Sequence, residues 1–135
     1  MDGGIGGYAT WGVFAPGIGT PHTAHDIEKL FGPPNGDMLH LGTGGLVDVT
    51  FGDRYVYDEP GVDIRIHGTF DPGEKGFVYG SEDGADFQII GDVTEEEMTI
   101  DIARGGLTRI LFLRIIDGSI GNGIEIDAIE AINLH

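Results

Sequence analysis

Glycine interrupts this sequence at short intervals along its whole length. It accounts for 25 of the 135 residues, and these do not follow the period of three that a collagen helix requires. Glycine is favoured in tight turns because it adopts positive φ values at little steric cost. A chain with so many turns has room only for short regular elements, which is typical of proteins built from short β-strands.

Between the glycines, apolar and polar residues alternate. Val47, Val49 and Phe51 have polar neighbours, and Ile64 and Ile66 are separated by an arginine. A period of two is that of a strand with one buried face. An Asp-Gly pair between two later apolar runs also predicts a hairpin. We therefore expect an all-β protein, an antiparallel β-sandwich or jelly roll of about eight strands that forms one domain over residues 1–135.

The N-terminal third predicts one strand and one short helix. Residues 8–15 carry aromatic and β-branched side chains between glycines, so we interpret them as the first strand. Thr23 stands three residues before Asp26 in the spacing of a capping box, and apolar residues then recur at helical intervals up to Phe31. We expect a helix of about two turns over residues 23–31.

Residues 109–116 form an almost wholly apolar run, which favours a central strand covered on both faces. Arg114 lies inside this run. An unpaired buried guanidinium is too costly to be tolerated, so we predict that Arg114 pairs with an acidic side chain or caps carbonyl groups.

Acidic residues exceed basic ones by 23 to 7, which gives a formal net charge of −16. The resulting field repels phosphate backbones and anionic lipids, so nucleic acid is not an expected partner. No apolar run approaches the length of a membrane span, and membrane insertion is not expected either. Two interpretations of the charge remain open, a solvated acidic surface and a surface that binds cations.

The chain has no cysteine, so it has neither disulfides nor a thiolate metal site. The first four residues lack the basic and apolar parts of a signal peptide, as in a mature chain from which the signal has been removed. The sequence also lacks a Gly-x-Ser-x-Gly elbow, a phosphate-binding loop and a cysteine nucleophile. We therefore do not expect an enzyme.

Six short motifs occur in an order that resembles a family of bacterial and archaeal cell-surface jelly-roll domains, related to the galactose-binding, discoidin-like superfamily. The motifs are FGPPNG at 31–36, LGTGG at 41–45, DEPGVD at 58–63, GSEDG at 80–84, LRI at 113–115 and EIDAIEAI at 125–132. The resemblance implies a non-catalytic extracellular or cell-surface module with a structural calcium ion. By position, Asn35 and Asp37 correspond to the calcium ligands of the turn, and Glu130, with Asp127 a close second, to the acid of the last strand.

The residues themselves leave the calcium site open. Calcium prefers oxygen ligands, which Asn35, Asp37 and Asp127 supply. Glu130 shares the parity of apolar residues in the last strand, so a buried carboxylate there would need a partner such as a metal. A β-bulge near Ala128 would instead turn Glu130 outward. Asn35 and Asp37 are equally typical of turn formers, as are Asp58 and Asp63 in a second turn region.

Four aromatic residues are candidates for a sugar-binding platform, although each could belong to the core instead: Trp11, Tyr8, Phe70 and Tyr79. The leading interpretation is a calcium-stabilised extracellular module that binds carbohydrate or a surface partner, and a loop end rich in exposed aromatics would favour it. The second is a self-associating subunit of a surface layer or filament, indicated by an open strand edge or an apolar patch. The third is a small hydrolase, which requires a deep pocket with converging carboxylates.

Overall fold

The computed structural model describes residues 5–119 and 123–135, which form two antiparallel sheets. The strands are β1 (Ile5–Tyr8), β2 (Trp11–Ala15), β3 (Leu39–His40), β4 (Leu46–Thr50), β5 (Val56–Tyr57), β6 (Ile64–Thr69), β7 (Lys75–Ser81), β8 (Gln88–Thr94), β9 (Thr99–Ile100), β10 (Arg109–Ile110), β11 (Phe112–Asp117) and β12 (Glu125–Leu134). The two short 3₁₀ helices are Ala24–Leu30 and Ile102–Gly105. The predicted antiparallel β-sandwich is confirmed.

One sheet has seven strands and the other has five. The order is β10-β5-β12-β6-β9 in the first, where β1 and β3 also pair with β12, and β2-β4-β11-β7-β8 in the second. Eight of the described strands have four or more residues, which matches the expected number, and four more have only two. Apolar side chains from both sheets form the buried core between them.

Strand β12 contains the irregularity that decides where Glu130 points. Its pairing with β6 shifts between Ile126 and Ala128, so one residue is extra at this point. Beyond the bulge the neighbours of Glu130, Ile129 and Ala131, are buried, and Glu130 lies on the outer face with 21% of its side chain exposed. The interpretation that Glu130 shares the buried face, which assumed unbroken alternation along β12, is therefore wrong. The alternative, a bulge that turns Glu130 outward, is correct.

The segment 8–15, predicted as one strand, belongs to two strands in different sheets. Ala9 is fully buried, and its N–H donates to the carbonyl of Ile129 in the seven-stranded sheet. The next residue, Thr10, donates its N–H to the carbonyl of Thr50 in the five-stranded sheet. The chain thus crosses between the sheets at a small buried residue, which a propensity pattern does not show.

The predicted helix is present as the 3₁₀ helix Ala24–Leu30. The side chain of Asp26 accepts the Thr23 N–H at 2.8 Å, as the capping-box spacing indicated, and Leu30 is buried. Neither 3₁₀ helix, nor any other helix in the described part of the chain, is long and apolar enough to cross a membrane.

Strand β11 lies at the centre of the five-stranded sheet and alternates in burial. Leu113 and Ile115 face the core, whereas Arg114 is on the outer face. Its guanidinium forms two bonds to the Asp48 carboxylate, at 2.7 and 2.9 Å, and lies 3.9 Å from the ring centroid of Phe87. The predicted ion pair of Arg114 is confirmed. The expectation of two covered faces is wrong, because apolar residues on the outer face are only half-buried.

Two chain segments cross closely next to β4. Gly17 donates its N–H to the Leu41 carbonyl at 2.9 Å, and Gly45 donates to the Gly42 carbonyl at 2.8 Å. A Cβ atom added to Gly45 would overlap the Leu41 carbonyl oxygen. Gly45 is thus required by a close approach of backbone atoms, whereas Gly44 has φ 80° and no atom within 4 Å of an added Cβ.

We predict that Gly45→Ala lowers the free energy of unfolding by about 3 kcal/mol, because backbone atoms rather than a mobile side chain meet the new methyl group. Gly19→Ala is the matched control, since Gly19 has φ 87° but no atom within 4 Å of the added Cβ. Left-handed strain alone costs about 1 kcal/mol. Urea unfolding followed by circular dichroism measures the free energy of unfolding of both variants. Equal midpoints for Gly45→Ala and Gly19→Ala would contradict the prediction.

Candidate functional site

An aromatic cluster lies at the edge of the seven-stranded sheet, where β5 meets the end of β12. Val56 is buried in β5, so its neighbours Tyr55 and Tyr57 point away from the core. Tyr55 and His135 exchange two backbone hydrogen bonds, at 3.0 and 3.2 Å. The rings of Tyr57 and His135 then meet edge to face, with centroids 4.8 Å apart.

Arg109 completes this cluster from the neighbouring strand β10. Its guanidinium lies 4.1 Å from the ring centroid of Tyr55, and its Nη1 donates to the hydroxyl of Tyr57 at 3.4 Å. Its Nε donates to the carboxylate of Glu82 at 2.7 Å. These bonds raise the pKa of Arg109, so the cluster carries a permanent cation in a fixed orientation.

We call Tyr55, Tyr57, Glu82, Arg109 and His135 the tyrosine cluster. Tyrosine rings pack against apolar C–H groups, and guanidinium and carboxylate groups exchange hydrogen bonds with hydroxyls. This combination suits a ligand with both kinds of surface, as sugars have. The cluster was not predicted from the sequence, although the Tyr-Val-Tyr spacing around a strand residue indicates that both rings share one face.

The four aromatic residues predicted as a platform are not brought together. Phe70 is buried, with 5% of its surface exposed, and packs in the core. Trp11 and Tyr79 lie on the outer face of the five-stranded sheet, but β4 and β11 separate their strands. Tyr8 is in the other sheet, where its ring centroid is 6.3 Å from that of His67. Their part in ligand binding stays a prediction.

Glu130, the predicted calcium ligand of the last strand, is surrounded by cationic and aromatic side chains. Its Oε1 lies 2.9 Å from Nε2 of His67 and 3.5 Å from Nη1 of Arg65. Arg65 and His67 are both on β6, opposite the part of β12 that follows the bulge. The partner that the outer-face carboxylate requires is thus supplied by β6.

The other three predicted calcium ligands meet near the turn at 35–37. The Asp127 carboxylate accepts the N–H groups of Asn35 and Gly36, at 3.0 and 2.9 Å. Asn35 Oδ1 accepts the Asp37 N–H, and Asp37 also pairs with the ammonium of Lys29 at 2.8 Å. These contacts satisfy the turn without a metal and place a cation beside Asp37. A calcium ion at these residues and Glu130 stays a prediction.

A different group of carboxylates is close enough to hold a metal ion. One oxygen each from Asp58, Asp63 and Asp101 lies within 4.8 Å of the others, and this is the only such group among the described residues. Asp63 is fully buried and accepts the N–H groups of Glu59 and Ile102, each at 3.0 Å. Burial raises the pKa of Asp63 to about 6, and the neighbouring carboxylates add to this effect. Three converging carboxylates are a donor set that suits a hard cation such as calcium.

No protein-family model and no curated protein sequence matches the chain. Several solved structures share its fold. One is CpGH89CBM32-6 from Clostridium perfringens, with 14% identity and a TM-score of 0.63 over 90% of this chain and 93% of that one. Another is CBM32-1 from a family 31 glycoside hydrolase of the same organism, with 11% identity and a TM-score of 0.60 over 93% and 96% of the two chains.

A third structure is CpGH89CBM32-5 from Clostridium perfringens, which was solved in complex with GalNAc-β-1,3-galactose. Its identity is 12%, and its TM-score is 0.57 over 92% of this chain and 93% of that one. The structural neighbours are therefore CBM32 carbohydrate-binding modules, and the predicted galactose-binding-like fold is confirmed.

Proposed function

We propose that this protein is a non-catalytic carbohydrate-binding module that acts outside the cell or on its surface, and that the tyrosine cluster contacts the sugar. The fold of CBM32 modules supports the class of function. The observation that carries the choice of site is Arg109, held among Tyr55, Tyr57 and Glu82 at an accessible edge of the sheet.

The geometry of Arg109 suits recognition of sugar hydroxyls. A guanidinium has five N–H donors in a planar fork, and the bonds to Glu82 and Tyr57 use two of the nitrogens. The remaining donors have no hydrogen-bond partner among the described residues and are available to a ligand. Because the side chain is already held in place, little conformational entropy is lost when a ligand binds.

We expect Arg109→Lys and Tyr57→Ala each to weaken glycan binding at least tenfold, or about 1.4 kcal/mol. The first variant replaces the planar guanidinium by an ammonium group, and the second removes the ring whose hydroxyl accepts a hydrogen bond from Arg109. Binding is measured by titration calorimetry with a glycan panel that includes GalNAc-β-1,3-galactose. Tyr8→Ala and Trp11→Ala are matched aromatic controls outside the cluster. The site would instead be the platform predicted from sequence if two results were obtained. The two controls would lose affinity, and the cluster variants would keep both their affinity and their urea midpoints.

We also propose that calcium stabilises the fold, and that Asp58, Asp63 and Asp101 bind it. The support is their mutual distance of within 4.8 Å and the complete burial of Asp63 beside two other acids. A divalent cation would offset the repulsion among these carboxylates. The competing set implied by the resemblance is Asn35, Asp37, Asp127 and Glu130, whose groups have the protein partners described above.

Calcium at about 100 times its Kd should add about 2.7 kcal/mol to the stability of the folded state. Asp101→Asn should abolish this gain, because it removes one of the three carboxylates. The fold should be retained, since asparagine still caps the second 3₁₀ helix, where the Asp101 side chain accepts the Ala103 N–H. Glu130→Gln should retain it. Thermal melting is compared in calcium, magnesium, matched sodium chloride and chelator.

Two results would decide against this assignment. A calcium shift no larger than that of magnesium would exclude a specific calcium site, since general screening also relieves repulsion among the acidic residues. A shift lost in Glu130→Gln and retained in Asp101→Asn would favour the set implied by the resemblance.

A second candidate function, self-association into a surface assembly, is favoured by the distribution of exposed apolar side chains. Four of the six large apolar residues that are exposed in the described part of the chain lie between positions 5 and 18: Ile5, Trp11, Val13 and Ile18. Trp11 and Val13 belong to β2, which is one of the two edge strands of the five-stranded sheet. Edge strands with apolar faces are typical sites of pairing between chains.

If this face mediates association, the protein should show concentration-dependent self-association that Val13→Lys abolishes, because a lysine on an edge strand opposes pairing. Sedimentation velocity over a hundredfold range of concentration measures this. Val62→Lys is the control, since Val62 is also exposed but lies in the loop between β5 and β6 of the other sheet. A protein that is monomeric throughout the range would contradict the second function and leave the first unaffected.

A further inference from the structure

A groove of about 340 Å³ lies beside β8, the outer strand of the five-stranded sheet. Its lining residues are Phe77, Ile89, Ile90, Gly91, Asp92 and Arg104. None of them belongs to the tyrosine cluster or to the carboxylate group around Asp63. The groove is therefore a separate surface that the proposed function does not use.

One part of the groove is apolar. Ile89 is 55% exposed, and the ring of Phe77 is half-buried beside it. Gly91 lies near the arginine, since a Cβ built on it would stand 3.9 Å from Nη1 of Arg104, an ordinary contact distance, and 2.9 Å from Cδ1 of the buried Ile100. A methyl or C–H surface of a ligand placed against Phe77 and Ile89 would be removed from water, which is favourable.

The other part of the groove carries a positive charge that has no acidic partner in the described part of the chain. Five of the seven basic residues form ion pairs within the described residues: Lys29, Arg65, Lys75, Arg109 and Arg114. Arg104 forms none there, although the chain has a large excess of acids. The charge of Asp92, which also lines the groove, is met by Lys75 with Nζ 3.6 Å from Oδ2. Among the charged side chains that line the groove, the guanidinium of Arg104 is thus the one without an ion pair to any described residue.

We propose that this groove is a second glycan-binding site, specific for a terminal sugar that carries both a carboxylate and an acetamido group. The guanidinium of Arg104 binds the carboxylate through paired hydrogen bonds, and the acetamido methyl group packs on Phe77 and Ile89. The inference rests on the proposed carbohydrate-binding function, although it assigns a different surface. The volume of about 340 Å³ is at the lower end of small-molecule pockets, as a single sugar residue requires.

The net charge of the protein restricts the ligand further. A chain with a formal charge of −16 repels a polymer with many anionic groups, so the groove selects an isolated carboxylate at the end of a glycan. Binding should weaken as sodium chloride is raised, because the exposed ion pair is screened.

The test compares 3′-sialyllactose with lactose, which lacks the acidic sugar, by titration calorimetry and by NMR shift mapping. We expect 3′-sialyllactose to bind with its largest backbone shifts at Gly91 and Asp92, and Arg104→Gln to weaken this binding at least tenfold. Arg54→Gln is the matched control, because Arg54 is also exposed and has no ion pair within the described residues. A glucuronyl disaccharide without an acetamido group should bind at least fivefold more weakly than 3′-sialyllactose.

The inference would be overturned by no binding of 3′-sialyllactose at millimolar concentration, by an equal loss in Arg54→Gln and Arg104→Gln, or by equal affinity for the glucuronyl disaccharide. A loss in Tyr57→Ala alone would also overturn it and would assign the acidic sugar to the tyrosine cluster. Conversely, binding that depends on Arg104 and is unaffected by Tyr57→Ala supports the groove, even if no glycan binds at the tyrosine cluster.

Discussion

The backbone pairing of β12 with four other strands is the interaction on which the rest of the molecule depends. It joins β1, β3, β5 and β6 into one sheet through antiparallel hydrogen bonds. Each contact described above along this strand follows from that register. Asp127 at the bulge reaches the turn at 35–37, Glu130 reaches β6, and His135, just beyond the strand, holds Tyr55. A change in the register of β12 would therefore rearrange all three.

The local features of the sequence predicted the architecture well, because a period of two and a capping box depend only on neighbouring residues. The paired state of Arg114 was also predictable, since a guanidinium within an apolar run requires a partner. The orientation of Glu130 was not, because a single extra residue in β12 reverses the parity from which it was inferred. The tyrosine cluster was missed for a related reason. Arg109 reaches Tyr57 and Glu82 only through the pairing of strands that are distant in sequence.

The few basic residues act mainly to fix positions on an acidic surface. Ion pairs such as Lys29 with Asp37 and Arg109 with Glu82 are substantially exposed, so each contributes little to the stability of the fold. What they determine is the direction in which a charged group points. Arg54 and Arg104 differ because neither has an ion pair within the described residues, and Arg104 is the one that lines the groove beside β8. The scarcity of bases thus makes the position of each one informative about function.

The pairing of β1 with β12 also has a kinetic consequence. Ile5 lies opposite Leu134, so the first described strand is joined to the last one. Contacts between residues so far apart in sequence form slowly, because a long loop must close before they contribute any stability. On the ribosome, β12 emerges after the other strands of its sheet, and β3, β5 and β6 cannot complete the sheet until it does. We therefore expect the fold to assemble only after the whole segment has been synthesised, with the inner faces of the sheets accessible to chaperones until then.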